Sequence, residues 1–171
     1  MTVISISTTT GNMNVMVMSR WDAVFYCYNP HAEPTVVISI CDPNMQYAAE
    51  PFCSEENNVK RILSLCFADA DEPGPDIYGR NATIDDLMSD EDAAQVAALL
   101  REYPNTDVIV HCDAGISRSA GVAAAILKHT TGDDSSIFQN GLYDPNLWCY
   151  RKTLFALTDS EGKDYKTGYM I

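Results

Sequence analysis

The sequence predicts an α/β domain with a central, largely parallel sheet flanked by helices. Two observations carry that prediction. Three short runs rich in Val, Ile and Leu, at residues 35–41, 61–67 and 106–112, have the length and composition of strands. Between and after them lie segments with helical periodicity, and strands alternating with helices build a parallel sheet. At 171 residues the chain suits one domain, able to bury about two thirds of the surface that its unfolded form exposes. The expected domain spans residues 1–158, with a polar tail at 159–171. Internal repeats, low-complexity tracts and interdomain linkers are not visible.

Taken in order, MNVMVMS (13–19) alternates as an edge strand and SRWDAVFY (19–26) follows as a short helix. TVVISIC (35–41) is rich in β-branched residues and stops at the turn signal Asp42-Pro43-Asn44. RILSLCF (61–67) alternates as a second buried strand. Residues 90–102 follow a helical pattern that puts Val96, Leu99 and Leu100 on one face. Ser89 is its cap, with Asp90, Glu91 and Asp92 at the positive helix end. TDVIVHC (106–112) is the third strand. A helix from Arg118 to His129 closes at Gly132, and a last helix starts near Pro145 with Asp144 as its cap. Trp148, Leu154 and Phe155 on that helix are expected in the core.

Composition narrows the functional classes. Eleven Lys and Arg face 24 Asp and Glu, a formal charge of −13, which opposes binding to nucleic acid or to anionic membranes. Residues 1–20 hold no basic residue before Arg20, unlike a signal peptide, and no apolar run approaches a membrane span. Six cysteines (27, 41, 53, 66, 112 and 149) show no CxxC pair and read as reduced thiols of a cytoplasmic protein. His31, His111 and His129 form no cluster with them, so no metal is expected. DADEPG, from Asp69, has the look of a calcium loop, but Pro73 and Arg80 stand where ligands would be required.

The chemistry concentrates in HCDAGISRS, residues 111–119. An apolar strand ends at Cys112, a tight loop follows, and an Ala-rich helix begins at Arg118. Successive backbone N–H groups of such a loop point at one spot, where the helix dipole adds to their field, and form an anion site. Cysteine reacts as its thiolate, a form favoured at helix N-termini and near cations. Arg118 supplies a permanent charge and a planar fork matched to two phosphate oxygens. Gly115 is expected at positive φ. A cysteine alone would read as an inert strand-end thiol; Gly115, Arg118 and Ser119 in register give it a mechanism.

HC-x5-R-S with Gly115 inside it resembles the signature loop of the protein tyrosine phosphatase superfamily, and AGISRSA is most similar to its dual-specificity branch. The resemblance implies a phosphotyrosine protein phosphatase-like fold and hydrolysis of phosphotyrosine, with phosphoserine and phosphothreonine as further possibilities, in a phosphorylated protein or peptide. It assigns Cys112 as nucleophile. Arg118 and the loop amides of Asp113, Ala114, Gly115, Ile116 and Ser117 would hold the phosphate. Ser119 would hydrogen-bond the sulfur and ease its departure, and His111 would orient the loop. No cofactor is implied. Phosphoinositide phosphatases of the superfamily often carry lysines in the loop, and this loop has none.

Ester cleavage also needs a proton for the leaving oxygen. In the dual-specificity branch an Asp some tens of residues before the cysteine supplies it, after a strand of alternating apolar residues. LCFAD ends in Asp69, and Asp71 in the same loop is the alternative. Low-molecular-weight phosphatases have the reverse order, with the cysteine loop first. Some relatives trap the oxidised nucleophile with a cysteine placed as Cys41 is, the possible redox partner here. Two other functions compete: a catalytically weak module that recognises phosphate through the same loop, and a sulfur-transfer or arsenate-reducing thiol enzyme, which the Arg118–Ser119 pair and the upstream Asp disfavour.

Overall fold

A computed structural model describes residues 2–8, 11–43, 45–75 and 79–159. Strand β1 (Thr2–Thr8) pairs antiparallel with β2 (Gly11–Ser19). Helix α1 (Arg20–Cys27) follows at once, capped by the Ser19 hydroxyl accepting from Asp22 N–H. Next come β3 (Thr35–Cys41) and β4 (Val59–Cys66), then the two-residue strands β5 (Gly74–Pro75) and β6 (Asn81–Ala82). A single 3₁₀ turn at Ile84–Asp86 leads to α2 (Asp90–Glu102), and β7 (Asp107–Cys112) runs into the loop before α3 (Arg118–Thr131). The short α4 (Ser135–Phe138) and the long α5 (Leu147–Asp159) complete the described chain.

The main sheet has the order β1-β2-β7-β3-β4, and its four strands from β2 to β4 are mutually parallel. This is the expected α/β architecture, with helices on both faces. Strand period two separates two cores. Val15, Val17, Val36, Ile38, Ile40, Val108 and Val110 point to the face covered by α3, and by α2 beside β4, with α5 packed on both helices. Met16, Met18, Val37 and Ile109 point to the opposite face, under α1. Both faces are covered, which explains why β3 and β7 read as continuous apolar runs. Helix α3 is buried without a break from Arg118 to Leu127, as suits a small-residue helix in the centre of a layer. Gly132 ends it at φ +80°, donating its N–H to Lys128 O.

Three expectations need correction. Strand β2 is interior, because β1, unread in the sequence, covers its outer edge. The last helix begins at Leu147, not at Pro145: Asn146 Oδ1 accepts from Cys149 N–H at 2.8 Å, and Asp71, not Asp144, takes the Leu147 N–H at 2.6 Å. Phe155 is 67% exposed, since the buried stripe of α5 runs through Cys149, Thr153 and Leu157 and puts Phe155 on another side. The capping of α2 is as read, with Ser89 and Asp92 reciprocally bonded. The expected tail lies outside the described residues beyond Asp159.

Candidate active site

Parallel register brings the C-terminal ends of the strands to one edge, with Ser19 beside Cys112 and Ser39 beside His111. Open α/β sheets place their ligands at this edge. The loop from Asp113 to Ser117 is held there from outside. Asp113 O accepts from Arg20 N–H at 3.1 Å, Ile116 O from Asp144 N–H at 3.2 Å, and Ser117 O from Asn146 N–H at 3.2 Å. Gly115 turns the chain at φ +73°, and a Cβ there would stand 2.5 Å from the Met18 carbonyl. Only glycine meets both demands. Gly121 has a different reason: a Cβ would lie 2.3 Å from Asn146 O, so a bare backbone lets the start of α5 close on α3.

Cys112 is buried, and its Sγ lies 3.2 Å from the buried Ser119 hydroxyl. Arg118 is 1% exposed. Its Nη1 donates to Phe67 O at 2.9 Å and its Nη2 to Asp42 Oδ2 at 3.1 Å, while Nε has no hydrogen-bond partner and faces Asp69 Oδ2 at 3.5 Å. Burial works against the guanidinium charge, but Asp42 first, then Asp69 and Cys112, hold it firmly protonated. Asp42 is also approached by the half-exposed Arg80 at 3.4 Å. Burial, then contact with Asp113, keeps the Asp42 carboxyl above the usual range despite Arg118.

The two candidate acids part company. Asp69 Oδ1 accepts from Ser117 Oγ at 2.7 Å and from Asn146 Nδ2 at 3.1 Å, so it sits on the loop. Asp71 is spent on the N-terminus of α5, taking Leu147 N–H and, at 3.4 Å, Trp148 N–H. A cleft of about 330 Å³ opens beside them, lined by Asp69, Ser117, Asp144 and Asn146 among others. Asn146 was not singled out in the sequence. The available signal was an Asn directly before a helix, masked by the more familiar Asp144-Pro145 pair.

Asp113 turns its side chain out of the loop. Arg20 Nε donates to Asp113 Oδ1 at 3.0 Å and Tyr47 Oη to Asp113 Oδ2 at 2.9 Å. Burial opposes its charge, but contacts with Asp42, Arg20 and Tyr47 hold its carboxyl below the usual range. The Asp113 carboxylate is therefore a support of the loop, and what it can offer an anion is its backbone. His111 is fully buried, with Nδ1 3.4 Å from Cys112 O and Nε2 unpartnered; burial first, then Arg20, pushes it down to about 4. A neutral ring suits positioning. Ile116 is exposed at the rim.

Cys41 ends β3 close to Cys112 in register, two residues beyond the Ser39–His111 pair, but on the other face of the sheet. Its register partner is Cys66 on β4, it donates to Leu65 O, and it shares strand parity with Val37 on the α1 face, whereas Cys112 belongs to the α3 face. Burial, then contact with Cys66, pushes the Cys41 thiol up to about 12.

No family model matches the sequence, and no curated protein does. Solved structures do match. Human DUSP28 aligns over 88% of this chain and 95% of its own at 16% identity and a TM-score of 0.53. A mouse putative dual specificity phosphatase complexed with zinc tungstate aligns over 95% and 92% at 15% identity and a TM-score of 0.51. The chain therefore has a dual-specificity phosphatase-like fold.

Proposed function

We propose that the protein is a cysteine-dependent phosphatase acting on phosphotyrosine, with phosphoserine and phosphothreonine as further substrates, in proteins or peptides. One observation carries the reading: a single strand-loop-helix places Cys112 against Ser119, sets Arg118 with an unspent Nε under the same loop, and meets Asp69 through Ser117. The Cys112 thiolate attacks phosphorus and the ester oxygen leaves. Asp69 gives that oxygen its proton, and a phosphocysteine forms. Arg118 and the amides of residues 113–118 hold the equatorial oxygens, where transition-state charge spreads. Asp69 then takes a proton from water as it attacks, and the Ser119 hydroxyl stabilises the departing sulfur. Asn146 fixes Asp69 above the loop. Such a thiolate requires a reducing compartment, and the reading places the protein in the cytoplasm.

Recognition without turnover is the second reading, and one contact favours it: Asp42 already occupies Arg118, so an incoming phosphate must compete for the guanidinium. The test is hydrolysis of para-nitrophenyl phosphate without added metal, by wild type and Cys112→Ser. Turnover abolished by the substitution supports the enzyme. Folded wild type that binds a phosphotyrosine peptide yet releases no phosphate supports the recognition module.

A further inference from the structure

Helix α1 has a composition that its own packing does not explain. Ala23, Val24 and Cys27 are buried, whereas Trp21, Phe25 and Tyr28 are 70%, 71% and 70% exposed. Their spacing of i, i+4 and i+7 makes one stripe. The chain from Glu50 to Asn57 touches α1 at both of its ends. Glu50 pairs with Arg20 at the start of α1, Phe52 meets the Tyr28 ring edge-on at 5.0 Å, and Asn57 donates to Cys27 O at its end. The stripe and the Phe52 ring beside Tyr28 present one aromatic face of about two helical turns, about 12 Å. Scattered apolar residues need no explanation on a surface, but a contiguous aromatic one marks an interaction site.

The charges around this face select its occupant. Asp22 lies between Trp21 and Phe25, and Glu55 and Glu56 are exposed beside Asn57. Residues 20–28 and 50–57 contain no Lys, and their one Arg, Arg20, is buried in its own ion pairs. A second copy of this chain, also at −13, would bring like charges together, and anionic lipid would be repelled. We infer that this face docks a short amphipathic segment of a partner protein, with apolar side chains at one-turn spacing flanked by Lys or Arg. The apolar side chains lie on the stripe, as the apolar face of an amphipathic segment does, and the basic ones face Asp22, Glu55 and Glu56. Trp21 directly follows Arg20, whose N–H and guanidinium hold Asp113. A docked segment therefore begins at the catalytic edge.

Binding is independent of turnover, so Cys112→Ser protein serves for the test. The probe is a fluorescein-labelled peptide with Leu at i, i+4 and i+7 and Lys at the flanking positions, with a Glu-for-Lys counterpart. Anisotropy should show saturable binding of the Lys peptide only, weakened by salt. The triple variant Trp21→Ser, Phe25→Ser, Tyr28→Ser should lose affinity at least tenfold, as should Glu55→Lys with Glu56→Lys, which leaves the stripe intact. No binding, equal binding of the Glu peptide, or unchanged affinity in either folded variant overturns the proposal. So does a concentration-dependent dimer, or binding to phosphatidylcholine vesicles, that the triple variant abolishes, since the face would then belong to a second copy or to lipid.

Discussion

Two buried arginines flank the signature loop, and they are used in opposite ways. Arg20 spends its guanidinium within the protein: Nε on Asp113, Nη1 on Glu50 at 2.5 Å, Nη2 on Ile40 O, with the Tyr47 ring stacked 3.5 Å from its centre. Arg118 keeps Nε without a hydrogen-bond partner beside Asp69, and one of its other contacts is a carboxylate that a phosphate can replace. A buried donor without a partner is costly in a finished core. The cost is understandable where a ligand completes the set. Under the phosphatase reading Arg20 is a support of the loop and Arg118 its working part, a distinction that burial alone, 6% against 1%, does not make.

The sharpest way to break this contrast is Arg118→Lys, which keeps the charge and removes the planar fork. Under the phosphatase reading kcat should fall about 10³-fold or more, the scale of an arginine that stabilises phosphoryl-transfer charge. A loss below tenfold in steady-state kinetics would mean that Arg118 is another Arg20.

Asp69 and Asp71 offer a second division of the same kind. Asp69→Asn should slow hydrolysis of an aryl phosphate with a poor leaving group by about 10²–10⁴-fold, with a smaller deficit on para-nitrophenyl phosphate. Asp71→Asn should leave turnover per folded molecule nearly unchanged and lower stability by about 1 kcal/mol through the weakened α5 start, read by urea melts. The reverse pattern would exchange their roles.

These residues also mark how far the sequence could be read. The loop was legible because its chemistry is local: Cys112, Gly115, Arg118 and Ser119 lie within one turn of chain, and the strand before them and helix after them are periodic. Asp42, Arg20 and Asn146 were not legible, because each reaches the loop across the fold, Asp42 from β3 and Asn146 from the start of α5. Strand β1 was missed for a related reason: an edge strand whose pairing is with its hairpin neighbour shows little of the continuous apolar run that marked β3 and β7. Cys41 shows a different limit. It ends its strand at the right edge, but strand parity turns it to the other face, so peroxide treatment followed by mass spectrometry should recover no Cys41–Cys112 disulfide.

Arg20→Met tests the supporting side. It leaves Asp113 with the Tyr47 hydroxyl as donor and costs about 1–3 kcal/mol, less than a fully buried pair, because the Asp113 and Glu50 side chains are 27% and 50% exposed and can hydrate. Chemical melts should show that loss. The folded fraction should keep kcat within about tenfold, since Arg118 remains.

His111 carries the comparison into pH. Its folded value is about 4 against 6.5 unfolded, with burial first and Arg20 second as causes. Between those values the unfolded chain binds the extra proton, so stability falls as pH drops from 6.5 towards 4 and is unaffected by this group above 6.5. The difference between those two values caps the loss at about 3 kcal/mol. His111→Gln should flatten the urea-stability profile across that window. Arg20→Met should shrink the same loss without removing it, because the burial persists when the neighbouring charge is gone. If Arg20→Met leaves the slope unchanged, Arg20 acts on the loop only through Asp113 and its field does not reach the histidine.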